Sequence, residues 1–296
     1  MLGSAISILV TGAMISAVYA LIAIGFTMIF GVGGVLNLAH GALIMLGAYG
    51  YLVVTSSSTV EFLALPPVVG LVVAIAVGAI GSYGLYRGLV EYIEDNPVIT
   101  FLATLVVALI LAELAVVGFS ASPRSLVNLA PGSYHHEGFG IRVTYIELVA
   151  FVASWVSIGL LWYYVTRTDE GRSILATSMS ERGAQLTGVD LPSVKARTWV
   201  IAGGLAGLAG VFIGTLQQTS PVMWLDPLAL AFIIVVIGGI GSIKGSIIAA
   251  YLIGYLETLT VELLGSGFRG TFSLIVLVIV LLVMPQGLFG REWVHE

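Results

Sequence analysis

Apolar residues in this chain are grouped into nine long runs, separated by short stretches that are polar or rich in glycine. A helix needs about 20 mainly apolar residues to cross a membrane. The runs cover about residues 6–30, 36–55, 67–89, 97–119, 145–165, 196–216, 228–240, 246–264 and 271–284. The pattern therefore predicts an all-α fold, a polytopic transmembrane helical bundle of about eight spans.

Two glycine-rich stretches leave the number of spans open. Gly31-Val32-Gly33-Gly34 and Gly238-Gly239-Ile240-Gly241 can each be a tight turn between spans or a break within one span. The surrounding segments, residues 30–50 and 237–257, resemble one another in having glycines, a polar residue followed by glycine, and then an apolar helix. Two interpretations are open: a parallel internal repeat of the kind that transporters use, and turn chemistry that the two segments share.

The composition supports a membrane protein. Hydrophobic residues make up 58% of the 296 positions and charged residues 9%, whereas soluble domains carry about 25% charged residues. The polar stretches are too short for a separate soluble domain, so residues 1–296 are expected to form a single transmembrane domain. The first apolar run lacks the basic start of a signal peptide and continues past any cleavage point, so we expect it to be retained as a span.

One polar stretch, residues 166–197, stands out and is called the polar loop below. It holds five of the eleven Lys and Arg residues. Basic loops tend to stay cytoplasmic, which places the polar loop and the C-terminus inside. The same topology places residues 87–96 and 238–245 inside, and residues 120–144 and 265–270 outside.

Short helices are predicted within the polar loop. Ser178 or Ser180 can cap a helix, and Gly188 suits its C-terminal end. Pro192 marks the start of the next helix. An amphipathic helix lying on lipid headgroups is one interpretation. The mixed charge and the modest apolar face favour the other interpretation, in which the loop contacts a protein.

The chain lacks the patterns of common catalytic and cofactor sites. It has no cysteine, no phosphate-binding Walker sequence, no dinucleotide fingerprint and no nucleophile paired with a base. The adjacent His135, His136 and Glu137 are weak candidates for a metal site. We therefore expect a protein that is not an enzyme and that binds no metal or cofactor itself.

Acidic residues inside the spans are scarce. Glu113 and Glu257 are the clear cases, and each can serve as a structural hydrogen-bonding residue or as an ion relay. Transporters driven by protons or sodium usually need such buried groups. The scarcity indicates that energy comes from elsewhere, and the polar loop offers a place to receive it.

Four blocks of sequence point to a known family. They are YALIAIGFTMIFGVGGVLNLAHGALIMLGAYG at residues 19–50, RGAQLTGVDLPSVKARTWVIAGGLAGLAGVFIG at 182–214, GGIGSIKGSIIAAYLIGYLE at 238–257, and the stretch 268–291 that ends in MPQGLFGR. The chain resembles the branched-chain amino acid permeases of ABC transporters, which are the membrane subunits of high-affinity importers. The blocks follow the family order, while residues 120–144 show no clear match.

The resemblance implies several partners and a location. These are a second homologous permease subunit, two cytoplasmic ATPase subunits that bind the ATP, an extracytoplasmic substrate-binding protein and membrane lipid, with no nucleic acid. The implied location is a prokaryotic inner or plasma membrane. The implied function is to form the translocation path for branched-chain or other neutral amino acids. The alternatives are a urea or short-amide permease of the same kind, and a stand-alone channel or secondary carrier.

The resemblance also assigns residues to two roles. The loop is similar to the family's ATPase-coupling loop, although Arg182-Gly183-Ala184 stands where the family often has Glu-Ala-Ala, with Glu181 one position early. The residues expected to dock the ATPase are Ile174, Met179, Glu181, Arg182, Ala184, Leu186 and Gly188. The polar residues expected along the substrate path are Asn37, His40, Gln217 and Gln218. Asn37 and His40 share one face if their segment is helical, or they can instead bond free backbone groups of the glycine break.

Overall fold

Helices dominate the fold. A computed structural model describes residues 2–56, 64–136 and 141–290. The α-helices in chain order are α1 Leu2–Gly33, α2 His40–Thr55, α3 Pro67–Gly88, α4 Pro97–Phe119, α5 Tyr145–Arg167, α6 Asp169–Met179, α7 Glu181–Leu186, α8 Leu191–Gln217, α9 Leu225–Gly238, α10 Ile243–Leu264 and α11 Thr271–Val283. Each of the nine predicted apolar runs lies in a helix of its own, which confirms the all-α, polytopic interpretation.

Seven helical segments of the described residues are long and apolar enough to cross a membrane, and the last of them, Ser266–Val283, consists of a 3-10 turn followed by α11. Two further apolar helices are shorter, α2 with 16 residues and α9 with 14. Each lies next to a glycine stretch, and neither stretch breaks a helix in its middle: Gly33 ends α1 and Gly238 ends α9, so the turns begin at the following residues. Residues 34–39 connect α1 to α2, and residues 239–242 connect α9 to α10.

A small antiparallel hairpin was not predicted. Strands β1 (Ser133–His136) and β2 (Ile141–Thr144) pair with Tyr134 opposite Val143. Glu137, which belonged to the weak metal candidate, lies outside the described residues. Among the described residues, no three His, Asp or Glu side chains are grouped so that they could hold a metal ion.

The chain packs as two compact units. Unit 1 comprises residues 1–27, 130–156 and 229–296, and unit 2 comprises residues 28–129 and 157–228. Helices α1, α5 and α9 contribute residues to both.

Small residues hold the helices of unit 2 at close range. The α-carbon of Gly207 in α8 lies so near to α2 and α3 that a Cβ on Gly47 would overlap it, and a Cβ on Gly207 would overlap the carbonyl oxygen of Ala74. A hydroxyl adds a polar contact, because Ser82 donates to the carbonyl oxygen of Trp199 at 2.6 Å. Small residues allow this approach, and van der Waals packing then stabilises helices in lipid.

Unit 1 joins the first part of α1 to α10 in a similar way. A Cβ on Gly254 would overlap the side chain of Ser16, and the hydroxyls of Thr27 and Ser246 are 2.6 Å apart.

The C-terminal signature segment, residues 284–290, folds back on α9. The backbone N–H groups of Leu288 and Phe289 donate to the carbonyl oxygens of Ile237 and Gly238, at 2.8 and 3.1 Å. The last carbonyls of a helix have no partner within it, so this segment caps α9.

Candidate functional site: the polar loop and the predicted path residues

The polar loop consists of two short helices, each begun by a side-chain cap. The Thr168 hydroxyl accepts from the N–H of Gly171 at 3.0 Å at the start of α6, and the Ser180 hydroxyl accepts from the N–H of Gly183 at 3.0 Å at the start of α7. Such caps satisfy N–H groups that otherwise lack a partner. Ser178 and Ser180 were the two candidates for a cap, and Ser180 is the residue that forms it.

The end of α7 also follows the sequence prediction. Gly188 has a φ of +86°, a left-handed conformation that favours glycine. The N–H of Val189 returns to the carbonyl oxygen of Ala184 at 3.1 Å, and α8 then begins at Leu191 with Pro192 in its first turn. The loop is therefore a structured element with defined ends.

Gly171 lets α6 fold tightly against the end of α5. A Cβ at this position would overlap the carbonyl oxygen of Tyr164 and lie 2.6 Å from the α-carbon of Val165. Because backbone atoms cannot move aside as a side chain can, this position requires glycine.

The predicted docking residues fall into two groups. Met179 is 61% exposed and Leu186 is 83% exposed, although both are large and apolar. Ile174 and Ala184 are instead buried against the chain itself, so they position α6 and α7 and present no surface to a partner. Arg182 and Gly188 are exposed as well.

A three-residue ion cluster connects α7 to α8. The Nζ of Lys195 lies 3.2 Å from Oε1 of Glu181, the first residue of α7, and 3.1 Å from Oε1 of Glu94. Glu94 lies between α3 and α4. The Lys195 side chain is only 8% exposed. Burial raises the pKa of the Glu94 carboxyl, and the Lys195 ammonium opposes that rise.

This cluster changes the interpretation of Glu181. The resemblance placed Glu181 and Arg182 among the residues expected to dock an ATPase. In the structure the Glu181 carboxylate is paired with Lys195 while its side chain remains 45% exposed, and Arg182 beside it is also exposed. A separate ion pair, which is exposed, joins Arg197 of α8 to Glu170 of α6 at 3.2 Å.

Asn37 and His40 lie at the turn between α1 and α2 and are fully buried. The idea that they share a helix face is wrong, because Asn37 precedes the helix that begins at His40. The alternative is supported: Asn37 Oδ1 accepts from the N–H of Ala39 at 3.0 Å. Thr104 of α4 also bonds the turn, since its hydroxyl accepts from the N–H of Leu38 at 3.1 Å.

Gln217 and Gln218 occupy a different place, the exposed C-terminal end of α8. Gln218 has a φ of +72°, which is unusual for a residue with a side chain. The next residue, Thr219, exchanges two backbone hydrogen bonds of 2.8 Å with Arg124. The four predicted path residues therefore belong to a buried turn and an exposed helix end.

These features indicate a class of protein: a multi-pass helical membrane protein whose long polar loop is a capped pair of helices with exposed apolar side chains. Comparison with known proteins gives the family. The family described as "Branched-chain amino acid transport system / permease component" matches residues 8–285. The chain belongs to this family of membrane permease subunits.

Individual relatives carry names that match the description of the family. The chain is 30% identical to the high-affinity branched-chain amino acid transport system permease protein LivH of Escherichia coli, over 96% of this chain and 95% of the relative. It is 26% identical to the corresponding protein BraD of Pseudomonas aeruginosa, over 97% and 96%. A more distant relative is the ribose import permease protein RbsC of Haemophilus influenzae, 27% identical over 82% and 73%. No solved structure matches the chain.

Proposed function

We propose that this chain is the membrane-spanning permease subunit of an ABC importer for branched-chain or other neutral amino acids. It works with a second permease, two ATPase subunits on the cytoplasmic side and an extracytoplasmic binding protein. Relatives whose names specify branched-chain amino acid transport cover nearly the whole chain. The scarcity of charge in the apolar helices suits a solute with an aliphatic side chain.

The exposed apolar surface of the polar loop carries the proposal. Met179 and Leu186 expose large apolar side chains in a segment that is otherwise polar. Exposed apolar residues with a polar surround are typical of protein contacts. The chain has no nucleotide-binding pattern, so an importer built on it takes its energy from separate ATPases. The loop surface is where they would dock.

The Lys195 cluster connects the docking surface mechanically to the membrane-spanning helices. A movement imposed on α7 acts on Glu181, and through Lys195 it reaches α8 and the segment that holds Glu94. The ion pairs resist separation, because a buried ammonium left without partners is costly. The loop is thus held firmly enough to transmit displacement when the ATPases close.

Leu186→Glu tests the docking role. The variant places a charge at the proposed contact without disturbing the packing of the chain, because Leu186 is 83% exposed. Loss of a central apolar contact typically costs about 2 kcal/mol or more, which is roughly thirtyfold in affinity. We expect co-purification with the ATPases and ATP-dependent uptake to fall by at least that factor.

Val127→Glu is the matched control, because Val127 is 40% exposed and lies outside the polar loop. It should retain both association and uptake. Unchanged association in Leu186→Glu would contradict ATPase docking. Weakened binding to anionic vesicles with intact ATPase association would show instead that the loop contacts lipid. Solute flux through the purified chain in liposomes without any ATPase would favour a stand-alone carrier.

A further inference from the structure

A cavity with a volume of about 230 Å³ lies between the first part of α1 and the end of α10, within unit 1. Pockets that take drug-sized ligands have volumes of roughly 300–1,000 Å³, so the size of this cavity suits a smaller solute. In the predicted topology, residues 265–270 lie outside, and the cavity reaches Arg269 in that segment. It would thus be reached from the side on which substrate arrives.

Glu257 gives the cavity its chemistry. It forms part of the wall although only 4% of the residue is exposed. The Tyr19 hydroxyl donates to its Oε2 at 2.6 Å. Its Oε1 is buried without a hydrogen-bond partner, and among the described residues Glu257 forms no ion pair. A buried carboxylate with an unused oxygen is costly unless a cation or a donor completes it.

The remaining wall favours one kind of cation. The hydroxyls of Ser7, Thr11 and Thr258 can accept further hydrogen bonds beside the carboxylate. An ammonium group offers three donors and a positive charge, which matches a carboxylate surrounded by hydroxyl acceptors.

Other residues of the wall account for the rest of a solute. Ile8, Ile15 and Val261 provide aliphatic surface, and Arg269 provides a guanidinium that can pair with a carboxylate. Glu262 adds a second, exposed carboxylate to the wall, which also favours a cationic group on the solute. A zwitterion with an aliphatic side chain has all three kinds of group.

We propose that this cavity binds an aliphatic α-amino acid, with Glu257 as the counter-charge for its ammonium group. Tyr19 positions the Glu257 carboxylate, and Arg269 pairs with the carboxylate of the solute. This inference rests on the proposed import function and deepens it, because it assigns a binding site within this chain to a solute that the binding protein would deliver.

The test measures equilibrium binding of radiolabelled leucine to the membrane assembly of permeases and ATPases, without nucleotide or binding protein. Competition uses 3-methylbutylamine, which keeps the ammonium group, and 4-methylpentanoate, which keeps the carboxylate. We expect the wild-type assembly to bind leucine and the amine to displace it. Glu257→Gln should weaken leucine binding at least tenfold and abolish displacement by the amine.

Glu113→Gln is the matched control, because Glu113 is an acid of the apolar helix α4 that takes no part in the cavity wall. It should bind leucine as the wild type does. A purely structural role of Glu257 would weaken amine and carboxylate competitors alike, whereas loss of the counter-charge affects the amine alone. Tyr19→Phe should give an intermediate loss.

Three results would overturn the proposal. They are undetectable leucine binding by the wild-type assembly, unchanged affinity in Glu257→Gln, and an equal loss in Glu113→Gln. The proposed function fails separately, if the complete transporter with its binding protein shows no ATP-dependent uptake of leucine. Uptake that continues at the wild-type rate in Glu257→Gln would leave the import function standing and remove the site.

Discussion

Lys195 is the single residue on which the geometry of the polar loop depends most. Its buried ammonium contacts two carboxylates that belong to different parts of the chain, Glu94 and Glu181. A buried charge is tolerated when it is paired, and it becomes a penalty when its partners are removed. Lys195 therefore holds three segments together: α8, α7 and the connection between α3 and α4.

Lys195→Met is expected to destabilise unit 2. The change leaves Glu94 and Glu181 close together without the cation. We expect a loss of about 2 kcal/mol, below the roughly 3–5 kcal/mol for a fully buried pair, because Glu181 remains 45% exposed. Thermal unfolding of the purified protein measures this loss, and limited proteolysis should show faster cleavage near α7.

Lys244→Met provides the comparison, since Lys244 is exposed at the start of α10. A stability equal to that of the wild type is expected there. If Lys195→Met were also neutral, the ion cluster would have no structural role.

Local sequence was enough for the residues that begin and end the loop helices. Ser180, Gly188 and Pro192 act through neighbours within a few positions, so their roles could be predicted. The pairing of Lys195 with Glu94 could not, because the two are 101 positions apart and no local pattern connects them. The buried state of Ala184 was missed for the same reason.

At the scale of helices, the glycines of α8 determine how closely α2 and α3 approach it. An added Cβ on Gly207 would overlap the backbone of α3, while an added Cβ on Gly204 of the same helix would lie 3.5 Å or more from Ile75 and Ala79. Gly207 and Gly204 therefore differ in their structural role, although they are only three positions apart. One permits a close helix contact, and the other lies in ordinary van der Waals range.

Gly207→Ala is expected to destabilise the protein by about 1–3 kcal/mol, the typical cost of overpacking. The added methyl group would overlap the carbonyl oxygen of Ala74, so the helices must separate. Gly204→Ala should be neutral or slightly stabilising, because alanine favours helix by up to about 1 kcal/mol over glycine. Thermal unfolding of both variants in detergent would contradict this view of the packing if it gave equal midpoints.

The apolar runs were enough to predict that the helices exist. They predicted the first and last residues of the helices less well. Helix α2 begins at His40 and not near residue 36, since Asn37 and its neighbours form the turn. The hairpin Ser133–His136 with Ile141–Thr144 gave no usable signal, because its strands have four residues each. Pairings this short are specified by tertiary context more than by pattern.

The polar loop is the longest polar connection of the molecule and carries two capped helices. It holds nine charged residues in 32 positions, while the shorter connection at residues 87–96 holds four in ten. If that loop meets ATPases and the cavity beside Glu257 meets arriving solute, the two must open on opposite sides of the membrane. The topology predicted from basic residues places them that way.

Single-cysteine variants test this arrangement cleanly, because the chain has no cysteine of its own. In intact cells, a membrane-impermeant maleimide should label Val127→Cys and should leave Leu186→Cys unlabelled until the membrane is permeabilised. Val127 follows α4 in the segment predicted to lie outside, and Leu186 lies in the polar loop. Labelling of both variants from the same side would contradict the topology.

The cap on α9 has a consequence for the order of biosynthesis. The carbonyl oxygens of Ile237 and Gly238 obtain their partners only when Leu288 and Phe289 have left the ribosome. Residues 1–27 likewise wait for α10 before unit 1 can form. The first part of α1 thus obtains its partners in unit 1 only after α10 has been made, and a chain stopped short of residue 284 would leave the end of α9 without its cap.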